Sequence, residues 1–402
     1  MPFLLVASLV FERLVSFIIG LPSLSSIVAF GWLTIASVTA RQRVAPIFTL
    51  VVGYVGIAVL ATLITVIQYN QIDLSSFARG LTFFITPFVC FHLFYNQPQL
   101  LPRLVAVIII FATMNSLAVL LQYWGLEYYG YGLQGDEVLT FDAIAKYTDS
   151  GGAIRVRPPG VIGNYHEAAL LGVVGLIALL IKITRNSVTT VRDLLLSVFI
   201  LIGIYATFSR ANLFVALVFF GAILTCFLFN KTYWKPLHQV IGNGVSLIAL
   251  IFAADYLFST GILSTLVSYA WDLPDVVDAT ERSVMLVESF VALTHASPLV
   301  GLGFGYAGRA AIGTTPVIDV NLIDYSIIAL LSDAGILGCG ILLYFLVAVH
   351  LRTTIRYQGI TLLILVGFFI SLLFGDFFTG KLSRHLVFSL LGGLLGESVR
   401  ND

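Results

Sequence analysis

The sequence predicts an all-α integral membrane protein, with about twelve transmembrane helices in a single polytopic domain covering residues 1–402. Composition is the first reason, because 59% of the residues are hydrophobic and only 10% are charged, and the mean hydropathy is +1.00. Soluble domains are much more polar than this. The second reason is that apolar runs of about 20 residues, the length that crosses a hydrocarbon core of about 30 Å, recur along the chain.

The predicted spans follow one another closely, apart from two long polar links. They lie near residues 3–20, 24–39, 46–67, 80–95, 103–124, 161–181, 191–208, 211–229, 239–258, 324–350, 358–375 and 384–397. The first two would also suit one re-entrant hairpin. Glu12 and Arg13 interrupt the first apolar run and no A-x-A-like cleavage site follows it, so we do not expect a signal peptide.

The distribution of Lys and Arg predicts which side each link faces. The long links, residues 125–160 and 259–323, both follow odd-numbered spans and therefore share one side. Short links on the other side carry most of the basic residues: Arg41, Arg43, Arg103, Lys182, Arg185, Arg192, Lys231, Lys235, Arg352, Arg356 and Arg400. Because basic short loops stay in the cytoplasm, both termini are predicted to be cytoplasmic and both long loops extracytoplasmic.

Arg210 is a charge placed in a short turn between the seventh and eighth spans, at the predicted outer face. An arginine there can simply snorkel to the lipid headgroups, which is the first interpretation. Ser209 and Asn212 beside it add hydrogen-bonding groups that a plain turn does not need. The second interpretation is therefore a site for phosphate.

A second polar cluster, RVRPPGVIGNYHEA at residues 155–168, leads into the sixth span. Its prolines stiffen the approach, its glycines permit turns, and His166 and Glu167 fall in the first turns of a membrane helix. Helix N-termini attract anions, and Arg155 and Arg157 would strengthen that attraction. An interface anchor is the alternative, but ionisable residues inside a membrane indicate a functional site.

The third cluster lies in the longer outer loop, at residues 278–309. Asp278 and Glu281 have the spacing of a capping box and predict the start of a helix lying on the membrane surface. Arg282 falls in the first turn of that helix, where it would favour a bound anion. GLGFG at residues 301–305 follows no predicted strand, so we interpret it as a tight backbone path and not as a nucleotide-binding loop.

In their order and shared side, these segments resemble the O-antigen ligase and O-antigen polymerase superfamily. The resemblance covers about residues 150–340: the arginine-proline-glycine approach with GNYHEA, then TFSRAN at residues 207–212, then Arg282 followed by SPLVGLGFG, then SDAGILG at residues 332–338. It implies a C-type glycosyltransferase fold, which transfers a glycan from undecaprenyl diphosphate to an acceptor sugar. It also implies that Arg210 and Arg282 hold the lipid diphosphate.

One departure favours the polymerases. Ligases of this superfamily resemble one another in a histidine-asparagine pair at the start of the tenth span, where this sequence has Asp324 and Tyr325. Counted back from Gly335, Asp324 stands at the histidine position and Asp333 at a glutamate position. The resemblance therefore implies a polymerase of O-antigen-like repeat units in lipopolysaccharide biosynthesis, with a ligase that joins the glycan to lipid A-core as the alternative. It further implies a bacterial inner membrane location, with the site facing the periplasm or exterior, and a partner that regulates chain length.

The chemistry requires cations for the leaving diphosphate and a base near the acceptor hydroxyl. Arg210 and Arg282 suit the first role, with Arg155, Arg157 or Arg309 assisting, since arginine offers a planar fork that matches phosphate. Asp324 is the first candidate for the base, with His166 and Glu167 behind it.

No metal, cofactor or nucleic-acid partner is expected. The outer loops contain no D-x-D, and Cys90, Cys226 and Cys339 lie in apolar runs without a spacing partner. A lipid-linked glycan transporter or flippase is the competing class, although we find no internal repeat. A peptidoglycan glycosyltransferase, which uses the same lipid carrier, is a further alternative.

Overall fold

The computed structural model describes residues 1–12, 24–39, 48–69, 74–124, 133–134, 137–138, 146–148, 154–229, 298–303, 326–374 and 381–401. Most of these residues are helical. The predicted ninth span, 239–258, and the predicted surface helix lie outside this part of the chain.

Helices occupy eleven of the twelve predicted positions within the described residues. They are α1 (Pro2–Val10), α2 (Leu24–Thr39), α3 (Phe48–Tyr69), α4 (Leu74–Asn96), α5 (Leu101–Tyr123), α6 (Tyr165–Asn186), α7 (Val191–Ala206), α8 (Arg210–Phe229), α9 (Ser326–Arg352), α10 (Ile355–Phe374) and α11 (Lys381–Asn401). A 3₁₀ turn, Pro98–Leu100, leads into α5. The prediction of a helical protein is confirmed for this part of the chain.

Two short antiparallel hairpins stand where the sequence predicted only a polar link. Strand β1 (Leu133–Gln134) pairs with β2 (Glu137–Val138), and β3 (Lys146–Thr148) pairs with β4 (Ile154–Val156). In the second hairpin the partners are Lys146 with Val156, Tyr147 with Arg155, and Thr148 with Ile154. Each pair forms a two-stranded sheet within the described residues and does not change the helical class.

Three helical stretches among the described residues are long and apolar enough to cross a membrane: 98–123, 165–186 and 334–352. Shorter apolar stretches lie at 24–36, 52–67, 212–228 and 355–369. Many large apolar side chains on these helices face outward, including Ile67, Ile110 and Tyr344. Lipid is the solvent that such surfaces require, and the helices therefore indicate a membrane-embedded protein.

The chain divides into two compact units. The first comprises residues 1–25, 102–279 and 354–367. In this unit α5, α6 and α7 approach closely through small residues: a Cβ at Gly172 of α6 would lie 2.5 Å from Cγ1 of Ile204, and one at Gly203 of α7 would lie 2.6 Å from Cβ of Ser116. Small residues at such positions let helix backbones meet, which is how membrane helices gain packing contacts.

At the C-terminal end of α6, polar side chains hold the helix in place. Arg356 of α10 donates to the carbonyl of Thr184 from Nε (3.2 Å) and Nη2 (3.1 Å). Lys182 pairs with Asp193 at 2.7 Å, and Asp193 forms a capping box with Thr190 at the start of α7. A cation at the C-terminus of a helix stabilises its unpaired carbonyls.

The second unit comprises residues 26–101, 280–353 and 368–402. Its central contact is between α4 and α11, where Gly392 and Gly396 lie against the backbone of Phe91 and Tyr95. The contacts run from Phe91 to Tyr95 on one helix and from Gly392 to Gly396 on the other, so the two helices are parallel. The spacing of four residues between the glycines is the small-xxx-small pattern of closely packed membrane helices. Four aromatic rings, those of Phe88, Phe91, Phe345 and Phe388, pack beside this contact.

Candidate functional site

The start of α6 concentrates polar groups at one helix end. Asn164 is the N-cap, and its side-chain Oδ1 accepts from the backbone N–H of His166 (2.9 Å) and of Glu167 (3.2 Å). Glu167 lies in the first turn, where a carboxylate is favoured by the helix dipole. The cap therefore fixes Tyr165, His166 and Glu167 at the positive end of a helix, as the sequence predicted.

Two glycines shape the approach to this helix. Gly160 has a φ of 63° and Gly163 a φ of 78°, a left-handed conformation that glycine adopts at little cost. The turns that the sequence predicted here are present. Pro158 and Pro159 are buried beside them.

Amide side chains of α5 hold that approach. Gln122 accepts from the N–H of Gly160 at 2.9 Å and donates to the carbonyl of the same residue at 3.3 Å. Asn115 accepts from the N–H of Val161 at 3.1 Å and donates to the carbonyl of Ala168 at 3.1 Å. Sequence reasoning missed both residues; the available signal was two amides inside an apolar span, because a buried amide needs partners.

Arg157 contacts the start of α6 directly. Its Nη1 donates to the hydroxyl of Tyr165 at 2.8 Å, and its guanidinium carbon lies 4.9 Å from the centre of the Tyr165 ring. The ring of Tyr165 in turn lies 4.0 Å from that of His166, measured between centroids. Arg157 thus adds a positive charge at the end of the helix where the dipole is already positive.

The turn before α8 is as tight as the sequence predicted. Helix α7 ends at Ala206 and α8 begins at Arg210, and between them Phe208 has a φ of 56°. A left-handed φ is uncommon outside glycine and indicates a turn that its surroundings hold in place. Here the ring of Phe208 lies 6.0 Å from that of Tyr123.

Hydrogen bonds fix the start of α8. The Oγ of Ser209 accepts from Nδ2 of Asn212 at 2.8 Å, and the N–H of Ser209 donates to Oγ1 of Thr207 at 3.3 Å. The carbonyl of Ser209 accepts the first helical bond, from Leu213. Ser209 is 4% exposed and Asn212 is 1% exposed. These polar neighbours of Arg210 are therefore built into the turn and do not extend into solvent.

The two helix starts lie side by side. Nδ1 of His166 lies 3.5 Å from Oγ of Ser209, which joins the first turn of α6 to the residue before α8. Two positive helix ends thus meet at one place, with Arg157 beside one and Arg210 as the first residue of the other. An anion is the ligand that such an arrangement favours.

Of the other predicted site residues, only Arg155 belongs to the part of the chain that the structure describes. Arg155 is in β4, opposite Tyr147. Arg282, Arg309 and Asp324 lie outside the described residues, and so does the predicted capping box at 278–281. Within the residues that the structure describes, no three His, Cys, Asp or Glu side chains are grouped closely enough to hold a metal ion.

In the second unit, the helix that carries Asp333 is broken. Gly335 of α9 has a φ of 62° and a ψ of −167°, so the predicted single span consists of two half-helices. After the break, Ile336 and Leu337 donate their N–H groups to the carbonyls of Pro298 and Leu299, both at 3.1 Å.

Residues 298–303 therefore run along the membrane helices of this unit. Thr65 of α3 donates to the carbonyl of Leu302 at 2.6 Å, and Leu302 is fully buried. Gly301 and Gly303 have φ values of 77° and 83°. The tight backbone path that the sequence predicted for the glycines is present over these residues.

Comparison with known protein families matches no family model to this chain, and a search of characterised proteins finds no matching relative. The resemblance described from the motifs therefore stands on the residues themselves, and the family stays a proposal.

Proposed function

We propose that the protein polymerises surface polysaccharide repeat units of the O-antigen type. In this proposal it has twelve spans and the C-type glycosyltransferase arrangement, and lies in the bacterial inner membrane. It transfers glycan from undecaprenyl diphosphate to an acceptor sugar at the outer face, and a chain-length regulator acts with it.

The meeting of two helix starts is the observation that carries this proposal. His166 at the start of α6 and Ser209 before α8 are 3.5 Å apart, and Arg157 and Arg210 belong to the same two segments. A lipid diphosphate brings negative charge to the membrane surface, and a positive helix end next to arginine is suited to hold it. Arg282 and Arg309, which lie outside the described residues, are proposed as further diphosphate-binding residues, Arg282 on the resemblance to the superfamily and Arg309 because arginine matches phosphate.

The reaction suits groups of this kind. When the bond from the sugar to the diphosphate breaks, the leaving group carries the charge, so cations placed there in advance lower the barrier. Arginine stays charged even when partly desolvated, and its planar fork contacts two phosphate oxygens. Asp324 is proposed as the base that accepts the proton of the acceptor hydroxyl, with His166 and Glu167 as the next candidates.

Ligase activity uses the same donor and differs only in the acceptor, lipid A-core. The positions of Asp324 and Tyr325, where ligases resemble one another in a histidine-asparagine pair, favour the polymerase.

A transporter or flippase of lipid-linked glycans is the candidate from another class, and the broken helix α9 is the observation that favours it, since transporters bind substrates at such breaks. Here, however, the N–H groups of Ile336 and Leu337 after the break donate to Pro298 and Leu299. This break therefore needs no ligand to satisfy those two groups.

Deletion of the gene, followed by gel analysis of the surface polysaccharide, tests the proposal. A polymerase defect leaves one repeat unit on the lipid core. Full-length chains held on the lipid carrier would instead identify a ligase. Repeat units accumulating on the cytoplasmic face of the membrane would identify a transporter, and unchanged polysaccharide would refute all three.

A further inference from the structure

Helix α5 presents three residues to the approach of α6 on one face. Asn115, Val119 and Gln122 recur at spacings of four and three, so they lie above one another along the helix. The turn at Gly160 rests on all three: a Cβ on Gly160 would lie 3.1 Å from Cγ2 of Val119 and would overlap Oδ1 of Asn115. A larger side chain at Gly160 would require the side chains of Asn115 and Val119 to move.

Each amide uses both its oxygen and its nitrogen in this contact. Gln122 bonds both the N–H and the carbonyl of Gly160, and Asn115 bonds Val161 before α6 and Ala168 inside it. Asn115 is 2% exposed and Gln122 is 6% exposed. A buried amide that loses one partner is costly, so the four bonds define one position of the segment along α5.

The segment held in this way carries the polar groups of the candidate site. Arg157 lies three residues before Gly160, and His166 and Glu167 lie between the two bonds of Asn115, to Val161 and Ala168. Holding residues 160–168 at both ends therefore fixes where His166 lies along α5, and Arg157 is tied to the same segment through its bond to the hydroxyl of Tyr165.

We infer that Asn115 and Gln122 are positioning residues, which hold Arg157 and His166 in place for a diphosphate bound at the starts of α6 and α8. This inference rests on the proposed function for the identity of the ligand. The amides do not touch the anion; they act through the Gly160 turn. Positioning of this kind matters because an error of about 1 Å in a reacting group costs roughly 100-fold in rate.

The test uses the purified full-length protein in lipid nanodiscs and two variants that remove the amides at similar volume, Asn115→Leu and Gln122→Met. Thr113→Val is the matched control, since Thr113 is also on α5 and, among the described residues, donates within its own helix, to the carbonyl of Ile109 at 2.8 Å. Farnesyl diphosphate serves as a soluble probe of the anion site, and hydrogen–deuterium exchange reports on the amides of residues 160–168.

We expect each variant to bind farnesyl diphosphate about tenfold more weakly than the unmodified protein, and its amides at residues 160–168 to exchange faster. Where elongation of lipid-linked repeat units is measured, kcat/KM for the donor should fall by the same order, while KM for the acceptor glycan stays unchanged. If the two amides had a purely structural role, the variants would instead show a lower protein level and weaker binding of donor and acceptor alike. Thr113→Val should match the unmodified protein in every measurement.

Crowding the same contact from the other side gives an independent check. Gly160→Ala should reproduce the loss, because the new Cβ would overlap Oδ1 of Asn115 and a φ of 63° is strained for alanine. Unchanged binding of the probe by Gly160→Ala would overturn the inference.

Failures of the two proposals are distinguishable. If the unmodified protein binds farnesyl diphosphate but elongates no glycan, the polymerase proposal fails. The positioning role of Asn115 and Gln122 is then still tested by how tightly their variants bind the probe. The inference is overturned if Asn115→Leu and Gln122→Met bind the probe as the control does, or if the unmodified protein does not bind it.

Discussion

Replacing Gly203 by alanine should separate α7 from α5 and disturb the candidate site. A Cβ at this position would lie 2.6 Å from Cβ and 2.9 Å from Cα of Ser116. Carbon atoms in contact are at least about 3.5 Å apart, so the two helices must part by about 0.9 Å. The Cα of Ser116 is backbone and cannot turn away as a flexible side chain would.

The size of the effect depends on the overpacking itself and on the position of α7 next to the candidate site. Overpacking of this kind costs about 1–3 kcal/mol in the free energy of unfolding. Because α7 ends three residues before Ser209, the displacement is passed to the contact of 3.5 Å between Ser209 and His166. A shift close to 1 Å at reacting groups costs roughly 100-fold, and we expect elongation to fall about 10- to 100-fold.

Thermal unfolding of the purified protein, followed by tryptophan fluorescence, and elongation of lipid-linked repeat units measure the two effects. Gly340→Ala is the control, since a Cβ there meets no atom within 4 Å and the exchange of glycine for alanine in a helix stabilises by up to about 1 kcal/mol. Adding Ser116→Gly to Gly203→Ala should restore part of both losses. Equal stability and activity of Gly203→Ala and the control would refute the close helix contact and its link to the site.

The predicted sidedness is tested with single cysteines in whole cells: Ser150→Cys should react with a membrane-impermeant label and Val188→Cys should not, and reversed labelling would contradict the orientation of the site. Asp324→Asn keeps the size and hydrogen bonding of the side chain but removes the proton acceptor, so it should abolish elongation at a normal protein level; near-normal elongation would make His166 the first candidate for the base. Arg210→Lys and Arg282→Lys replace a planar fork by a point charge, and each should lower elongation roughly 10- to 100-fold, the range of one charge-assisted bond. The double variant should lose less than the product, whereas full activity of Arg210→Lys would show that this side chain only contacts headgroups.

Most helices could be predicted from the sequence, because apolar runs bounded by polar residues determine where a membrane helix lies. Errors occur where a helix is locally polar: α4 begins at Leu74 and not near residue 80, and Ser75, Ser76 and Arg79 form its first turns. The break at Gly335 was not predicted, since no proline marks it. The carbonyls that accept from the N–H groups after the break, those of Pro298 and Leu299, lie more than thirty residues earlier in the chain.

The candidate site was predictable in its local parts only. The glycines at 160 and 163 predict turns by residue type, and the structure has them, whereas Asn164, expected within the first turns of the helix, is its N-cap. The amide contacts of Asn115 and Gln122 depend on how α5 packs against a later segment, and no local pattern in the sequence reports such tertiary contacts.

The parallel contact between α4 and α11 has a consequence for synthesis of the protein. Phe91 and Gly392, which touch, stand 301 positions apart in the chain. At about 5–20 residues per second, the ribosome needs roughly 15–60 s to make the second partner after the first. During that interval the backbone of Phe91 and Tyr95 lacks the helix that later packs against it, so this face of the newly inserted α4 contacts lipid or other helices instead. The stability of the second unit is thus gained late in biogenesis, and slow or interrupted translation before α11 should expose α4 to membrane proteases.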